Sequence, residues 1–360
     1  MVDVPTQTFR TTETGPDWDR LAATSRRDRR LKISALTVFL VAVSIPIVLP
    51  YFWMVMIAFT ARTGGADADT LWTACAILVP VTLAYVVGYQ ALSARYRTLG
   101  LIAAILIAGA LLWFFLGDDL HLNNFRFMIN PNIVEDIRGA ATAGGQFPWV
   151  WTAFGNSLIL AGTQTVIVVT VSTLAAYYLS RFSFRGRSAF LQSLLVLQAF
   201  PAITLVIPIF LIVFWVGLLN TLYAPILVLT ALELPFFIFI MKGFFDAVPW
   251  DIEMSAMTDG ASRRQAFWMV VLPQVRIGMI AIGVFSFIKG WEEYIFVTAL
   301  RTGNSYWVMS TYLYYVREDV MGVDYGMVAA VSLLYVMPSL VLYLFCQKYL
   351  TQMTIGGVKG

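Results

Sequence analysis

The chain contains a series of apolar stretches, each about as long as the roughly 20 helical residues needed to cross the hydrocarbon core of a membrane. Of its 360 residues, 59% are hydrophobic and 12% are charged, whereas soluble domains carry about 25% charged residues. A segment inside a bilayer must satisfy its own backbone hydrogen bonds, and a single stretch does this as a helix. We therefore expect an all-α, polytopic membrane protein.

The apolar pattern predicts eight membrane-spanning helices, near residues 34–59, 71–93, 98–116, 155–180, 188–216, 222–243, 275–298 and 326–347. Loops rich in Lys and Arg alternate along the chain with loops in which Arg is mixed with acidic residues. Because Lys and Arg of short loops stay in the cytoplasm, both termini are expected there. The chain then divides into a cytoplasmic tail 1–33, additional helices 34–116, an external loop 117–154, a membrane core 155–347 with a cytoplasmic loop 246–274, and a cytoplasmic tail 348–360.

A polar insert of 25 residues, 249–273, separates two of the apolar stretches. Most connections in compact folds need only about 4–6 residues. Pro249 suits the first turn of a helix, and Gly260 suits the left-handed stop after it. Ser262 and Gln265 have the spacing of a capping box. We predict two short helices at a tight corner, which either dock on another protein or lie on the lipid surface as an amphipathic element.

The sequence lacks the usual motifs of nucleotide and metal chemistry. None of its five lysines follows a glycine, so it has no Gly-Lys-Ser/Thr phosphate loop. His121 is the only histidine, and Cys75 and Cys346 both fall in apolar stretches, which disfavours a His-based metal site and a disulfide framework. The net charge of +3 reflects membrane topology. We expect no catalytic residues, no metal, no cofactor bound by this chain and no nucleic-acid partner.

Four charged residues lie inside predicted helices, namely Glu233, Lys289, Glu292 and Glu293. A charge at bilayer depth costs about 2.5–3.5 kcal/mol on insertion scales, so such groups usually face protein or water. Lys289 and Glu293 are four residues apart, which predicts a shared helix face and mutual neutralisation. Two readings stay open, an ion pair that stabilises packing and a polar lining of a transport path.

Four prolines, Pro201, Pro208, Pro225 and Pro235, fall in the predicted fifth and sixth helices. Proline removes a backbone donor and clashes with the preceding turn, so we expect these helices to be broken or kinked. Such breaks are tolerated in a membrane where they line a cavity. The prolines therefore favour the transport reading.

The insert resembles the cytoplasmic EAA loop of inner-membrane permease subunits of ABC importers. That pattern is Glu-Ala-Ala, three residues, Gly, nine residues, then an aliphatic residue, any residue and Leu-Pro. Here Gly260 is followed after nine residues by Val270–Pro273, and the triplet reads Met254-Ser255-Ala256, with Glu253 one place before Met254. Further stretches resemble the carbohydrate branch of these permeases: Asn156-Ser157, Ala175–Arg181, Phe200-Pro201, Gly217–Thr221, Pro235-Phe236, Gly243–Phe245 and Trp291–Tyr294. The tail Gly356–Gly360 is similar to the maltose-permease type.

The resemblance implies a six-helix permease core, to which the first helices are an addition. It implies import of a di- or oligosaccharide of the maltose, trehalose or α-glucoside type across a bacterial or archaeal inner membrane. The expected partners are two ATPase subunits that hold ATP and Mg, a second permease subunit, an external solute-binding protein and membrane lipid. The implied ATPase-docking residues are Glu253, Met254, Ser255, Ala256, Asp259, Gly260, Ala261, Leu272 and Pro273. The implied tail contacts with the ATPase are Gly356, Gly357 and Lys359.

Two other classes of function remain as alternatives. An ion-coupled secondary transporter would use Glu233, Lys289, Glu292 and Glu293, and would work without an ATPase. A membrane enzyme acting on lipid-linked substrates would need an acidic or histidine cluster at one membrane face, and the sequence shows no convincing one.

Overall fold

The computed structural model describes residues 49–60, 68–91, 94–117, 120–130, 149–301, 306–317 and 324–356, with six single positions between 36 and 46. These parts are almost entirely helical, and the β-pairing found within them is an isolated bridge between Thr60 and Leu120. The predicted all-α, polytopic membrane class is confirmed. The predicted tail 1–33 and residues 131–148 of the predicted external loop lie outside the described residues.

We number the α-helices of the described parts in chain order: α1 Leu49–Phe59, α2 Ala68–Ala91, α3 Ala94–Leu116, α4 Val150–Arg181, α5 Arg187–Gln198, α6 Val206–Val216, α7 Tyr223–Asp246, α8 Trp250–Thr258, α9 Arg263–Ala266, α10 Arg276–Glu292, α11 Ile295–Leu300, α12 Met309–Arg317 and α13 Tyr325–Gly356. Two 3-10 helices span Asn123–Met128 and Ala202–Leu205. After α9 the chain continues through a π-helical turn, Phe267–Val271, and a last helical turn, Leu272–Gln274.

Four helices of the described parts are long and apolar enough to cross a membrane: Leu99–Leu116 in α3, all of α4, all of α7 and Tyr325–Gln347 in α13. Two more spans result if each of two bent pairs crosses as one unit, namely α5 with residues 202–216 and residues 263–274 with α10. Leu49–Phe59 and Trp72–Tyr85 are shorter apolar helices. Each predicted span therefore has a helical counterpart, although the first is described continuously only from residue 49.

Two predicted spans are interrupted rather than continuous. The span predicted at 188–216 bends by 91° between α5 and the segment 202–216. Pro201 has an extended backbone at this break, and a proline also disfavours the helical conformation in the residue before it, here Phe200. The span predicted at 275–298 stops at Glu292, and α11 begins at Ile295. The first interruption agrees with the break expected from the prolines, whereas the second was not predicted.

The other prolines of this region do not break a helix. Pro208 and Pro225 lie in the first turns of α6 and α7, where a backbone N–H has no partner within the helix and its loss costs little. The helix α7 continues through Pro235. The sequence therefore predicted a break correctly at Pro201, whereas Pro208 and Pro225 mark helix starts.

Helix α4 lies at the centre of the core and packs against α7 and α10. The approach of α4 to α10 is close at Gly290, where an added Cβ would lie 2.5 Å from Gln164 Oε1 and 3.0 Å from Ala161 Cα. A buried apolar cluster at the other end of the helices joins α4, α7 and α10 to the π-helical turn and comprises Val168, Ala176, Phe237, Met241, Phe245, Val248, Phe267, Val271, Val275 and Ile282. The insert is thereby joined to the membrane core.

Helix α13 ends nine residues later than the predicted span, at Gly356 instead of 347. Most of the predicted tail 348–360 is therefore a continuation of the last helix. Gly356 closes that helix, and Gly357 and Lys359 lie outside the described residues. The predicted contact of this tail with an ATPase stays a prediction.

Candidate functional site

The insert 249–273 folds into the two short helices and the tight corner that the sequence predicts. Helix α8 stops at Gly260, whose φ of +96° lies in the left-handed region that favours glycine. The Gly260 N–H donates to Met257 O at 3.1 Å, and the Ala261 N–H donates to Ala256 O at 3.0 Å. These two bonds are those of a Schellman motif, which satisfies carbonyls that the helix end leaves open.

The second helix begins with the predicted capping box. Gln265 N–H donates to Ser262 Oγ at 3.3 Å, and Ser262 N–H donates to Gln265 Oε1 at 2.8 Å. Beyond α9 the chain turns inward, and Phe267 and Val271 are buried in the cluster between α4, α7 and α10. The first half of the insert thus projects, and the second half packs on the membrane core.

A buried ion pair holds α8 to the end of α4. The Glu253 side chain is fully buried, and its Oε2 lies 3.1 Å from Arg181 Nε. Tyr177 OH donates to Glu253 Oε1 at 2.6 Å. Arg181 Nη2 also donates to Val248 O at 2.9 Å, and the guanidinium lies 5.4 Å from the centroid of the Trp250 ring. Arg181 of α4 therefore contacts Val248 before α8, and both Trp250 and Glu253 in the first turn of α8.

The nine predicted docking residues divide between the surface and the interior. Ser255, Asp259 and Gly260 are exposed, and Met254, Ala256 and Ala261 are partly exposed. Pro273 is exposed, but Leu272 packs against the core cluster. Glu253 faces the body of its own chain, so its carboxylate is not presented to another protein. The exposed side chains of α8 are of mixed character and include Asp251, Ser255 and Ile252, of which Ile252 is 38% exposed.

Sequence reasoning missed Tyr177 and Arg181 as members of this site. Both residues counted as part of the stretch Ala175–Arg181 that resembles the carbohydrate branch, and Arg181 also as one of the Lys and Arg residues of the predicted cytoplasmic side. The available signal was the position of both residues in the last turns of a predicted span, on one helix face at a spacing of four. Nothing in the sequence connects that face to Glu253, because contacts between distant segments depend on how the helices pack.

The carboxylate of Glu233 forms the centre of a second, intramembrane polar group. Glu233 on α7 is 7% exposed, and Ser286 of α10 donates to its Oε2 at 3.1 Å. Gln164 of α4 is fully buried, and its side chain lies beside the same carboxyl group. Three helices therefore meet at one polar cluster, as is typical of interhelical contacts in membranes.

The predicted pairing of Lys289 with Glu293 is not formed. Helix α10 ends at Glu292, so Glu293 has left the helix, and its Oε1 accepts from the Phe296 N–H at 2.8 Å. Glu293 is thus a cap of α11. Lys289 is exposed and its Nζ lies 5.7 Å from the centroid of the Phe236 ring, a distance typical of a cation–π contact. Glu292 is also exposed. The four predicted charges therefore lie in different environments.

Polar residues of the described parts are not arranged as a metal site. Across these ranges, no group of three or more His, Cys, Asp or Glu side chains lies close enough to hold a metal ion. Cys75 and Cys346 are free thiols. The polar contacts described above join one helix to another, since Tyr177 and Arg181 bind Glu253 and Ser286 binds Glu233.

The protein family described as binding-protein-dependent transport system inner membrane component matches residues 168–352. This range is 185 of the 360 residues, just over half of the chain. It includes the insert, the Glu253 ion pair with both of its partners, and the charges on α7 and α10. The first three helices, the predicted external loop and the first part of α4 lie before it.

Individual relatives match over somewhat more than half of the chain. The chain is 34% identical over 196 residues to the diacetylchitobiose uptake system permease protein NgcG of Streptomyces coelicolor, and the match covers 54% of this chain and 65% of that protein. It is 30% identical over 211 residues to the trehalose transport system permease protein SugB of Mycobacterium tuberculosis, covering 58% and 77%.

A solved structure shares the fold. A crystal structure of a bacterial ABC transporter involved in the import of the acidic polysaccharide alginate matches with a TM-score of 0.51 at 21% identity. The match covers 72% of this chain and 98% of that chain. At this level of identity the likeness concerns the arrangement of helices alone.

Proposed function

We propose that this chain, which belongs to the binding-protein-dependent transport system inner membrane component family, is a permease subunit of an ATP-driven importer for a di- or oligosaccharide. The observation that carries the proposal is the insert 249–273, in which a short helix and a left-handed glycine corner project from a second half packed on the core. A simple connection between α7 and α10 would need neither the helix nor the corner.

The projecting half of the insert is the part that would dock on an ATPase subunit. Its outer face offers Ile252 and the partly exposed Met254 and Met257. An apolar helix face fits a groove on a partner, and methionine adapts to irregular grooves. Because Glu253 points inward, docking would depend on this apolar face and on the exposed Ser255 and Asp259. ATP and Mg would be held by the partner ATPase subunits, and this chain would supply the moving helices.

The translocation path would run beside α7 and α10, where Lys289 and Glu292 are exposed at the surface of the single chain. The break between α5 and α6 supports this placement, since Phe200 and Ile203 beside it are 58% and 64% exposed. Non-helical backbone at membrane depth is tolerated where protein buries it or water reaches it. A second permease subunit would therefore face this side, with the path between the two subunits. Buried Glu233 and the capping residue Glu293 would hold the helices beside the path in place.

The relatives support a sugar of two or more units. Diacetylchitobiose and trehalose are both disaccharides, although they differ in linkage and substituents. We propose a substrate of the maltose, trehalose or α-glucoside type, delivered by an external solute-binding protein. The membrane would be the inner membrane of a bacterial or archaeal cell, with both termini in the cytoplasm because the Lys and Arg surplus lies on that side.

The decisive experiment is uptake by proteoliposomes that contain this chain with its permease and ATPase partners. Labelled trehalose, maltose and diacetylchitobiose are offered outside together with the binding protein, and ATP is enclosed inside or omitted. We expect uptake of at least one of these sugars that requires enclosed ATP and added binding protein. Sugar hydrolysis is followed as a control for enzymatic activity.

An opposite pattern would overturn the proposal. Uptake by this chain alone, driven by an ion gradient and lost in Glu233→Gln, would identify an ion-coupled secondary transporter instead. Absence of any association between this chain and an ATPase subunit during purification would contradict the docking role of the insert.

A further inference from the structure

Glu253 is a buried carboxylate on a helix that otherwise projects from the protein. The other acidic residue of the first turn of α8, Asp251, is exposed, whereas Glu253 has no exposed surface. Moving a charge out of water is costly unless partners compensate for it, and breaking such a pair leaves an uncompensated charge. Arg181 and Tyr177 supply that compensation, at 3.1 Å and 2.6 Å. Because both partners of Glu253 lie on α4, these contacts hold α8 to α4.

We propose that Glu253, Arg181 and Tyr177 form an anchor that makes α8 and the cytoplasmic end of α4 move as one rigid unit. The inference rests on the proposed function, since the movement in question is the one that an ATPase would impose on α8. The three residues act by positioning and touch neither sugar nor nucleotide. In this scheme Glu253 does not contact the ATPase, and it transmits the movement of α8 inward.

The contacts of Arg181 explain why the anchor would be rigid. Its guanidinium binds the Val248 carbonyl, the Trp250 ring and the Glu253 carboxylate. A flat group with fixed donor directions, held at three points, restrains rotation as well as separation. The chain that enters α8 and the first turns of α8 are therefore fixed to one side chain of α4.

Tyr177 adds an aromatic wedge between α8 and the π-helical turn. Its ring lies 4.5 Å from the Phe267 ring and 5.7 Å from the Phe245 ring, measured between centroids. The hydroxyl binds Glu253, whereas the ring packs against the second half of the insert and the end of α7. The anchor thereby connects both halves of the insert to α4, which spans 32 residues and reaches Met309 at its far end through Ser157.

The position of Met254 agrees with an internal role for Glu253. Adjacent residues of a helix point about 100° apart, so Glu253 and Met254 cannot both face inward. Glu253 faces the anchor, and Met254 is partly exposed on the projecting side. The insert therefore retains an acidic residue for its internal contact while presenting an apolar one outward.

The test first measures how firmly the anchor holds α8 to α4, and then how its loss affects transport. Hydrogen–deuterium exchange of residues 250–258 is followed in the full chain in lipid nanodiscs for Glu253→Gln, Arg181→Met and the double variant. We expect each single variant to exchange about tenfold faster than the unmodified chain, as for loss of a locally stabilising contact. The double variant should be no faster than the faster single variant, since both changes remove the same interaction.

A milder variant and two controls keep the test informative if a buried charge change prevents folding. Tyr177→Phe removes one hydrogen bond and keeps the ring, so exchange should rise by less than in Glu253→Gln. Tyr178→Phe and Arg185→Met are the matched controls, because both side chains are exposed neighbours on or beside the end of α4. Exchange of residues 250–258 should not change in either control.

In the assembled transporter, the anchor variants should bind the ATPase and hydrolyse ATP while importing fewer sugar molecules per ATP. Loss of ATPase binding in Glu253→Gln but not in Arg181→Met would overturn the proposal, because Glu253 would then act at the docking surface. Unchanged exchange in both variants would overturn it as well. If the unmodified complex shows no ATP-dependent uptake, the proposed function fails. The exchange measurement still decides whether the anchor holds α8 to α4.

Discussion

Gly260 is the residue on which the shape of the insert depends most directly. Its φ of +96° is one that residues with a side chain rarely adopt. An added Cβ would meet no atom within 4 Å, so the cost of substitution is one of backbone strain rather than of collision. A non-glycine residue in the left-handed region costs about 1–2 kcal/mol, which corresponds to about a 5- to 30-fold change in an equilibrium.

We predict that Gly260→Val weakens coupling between ATP hydrolysis and uptake, with Gly260→Ala less severe and Gly260→Asn the mildest. Valine is β-branched, whereas asparagine tolerates the left-handed region through local hydrogen bonds. The measurement is sugar uptake per ATP hydrolysed in proteoliposomes. Gly243→Ala is the matched control, because that glycine has equal space and no positive φ. Normal uptake in Gly260→Val would show that the corner is not needed for docking.

Contacts within one helical turn were predictable from the sequence, but contacts between distant segments were not. The stop at Gly260 and the box of Ser262 with Gln265 each depend on residues within one turn, and the structure has them as predicted. The partners of Glu253 depend on the packing of α8 against α4. The predicted Lys289–Glu293 contact failed because α10 ends one residue before Glu293, and the sequence alone did not place that end.

At the scale of elements, the packing of α4 on α10 depends on two glycines that differ in their surroundings. A Cβ at Gly290 would collide with Gln164 Oε1 at 2.5 Å and press on the Ala161 backbone at 3.0 Å. A Cβ at Gly283 would meet Val169 and Thr165 at the ordinary distances of 3.6 Å and 3.8 Å. The same helix pair therefore offers a tight position and a permissive one.

We predict that Gly290→Ala destabilises the protein by about 1–3 kcal/mol, the range for inserting a methyl group into a packed interior. Gly283→Ala should be neutral or slightly stabilising, because alanine loses less backbone entropy than glycine in a helix. Thermal unfolding of both variants in the same detergent gives the comparison. Equal unfolding temperatures would show that α4 and α10 separate without cost at Gly290.

The existence of the helices was predictable from apolar length, whereas their interruptions were predictable only in part. Pro201 marks the break between α5 and the segment that follows. Pro208 and Pro225 carry the same local signal, yet they sit in first turns where a missing N–H is harmless. The distinction depends on where each helix starts, which tertiary packing decides. The π-helical turn Phe267–Val271 likewise has no sequence signal of its own.

At the scale of the whole molecule, the end of α4 away from the insert is held by a clamp formed by the 3-10 helix Asn123–Met128. Asn124 Nδ2 lies within hydrogen-bonding distance of three carbonyls at the end of α1, those of Ala58, Thr60 and Ile57, at 3.0, 2.9 and 3.4 Å. The Trp151 Nε1–H of α4 donates to Met128 O at 2.9 Å. The same asparagine packs on Gly326 at the start of α13. One short element thereby joins residues 57–60 to the start of α4 and to the start of α13.

We predict that Asn124→Ala destabilises the protein by about 1–3 kcal/mol, because the carbonyls at the end of α1 lose a buried donor. Asn124→Asp should be more harmful, since a carboxylate has nearly the same shape but can only accept hydrogen bonds. Asn123→Ala is the matched control, as that side chain is exposed. The measurement is thermal unfolding in detergent together with hydrogen–deuterium exchange of residues 54–60. If Asn124→Asp were as stable as the unmodified chain, the clamp would not depend on donation from this amide, and this end of the molecule would be held by apolar packing of Phe127 and its neighbours.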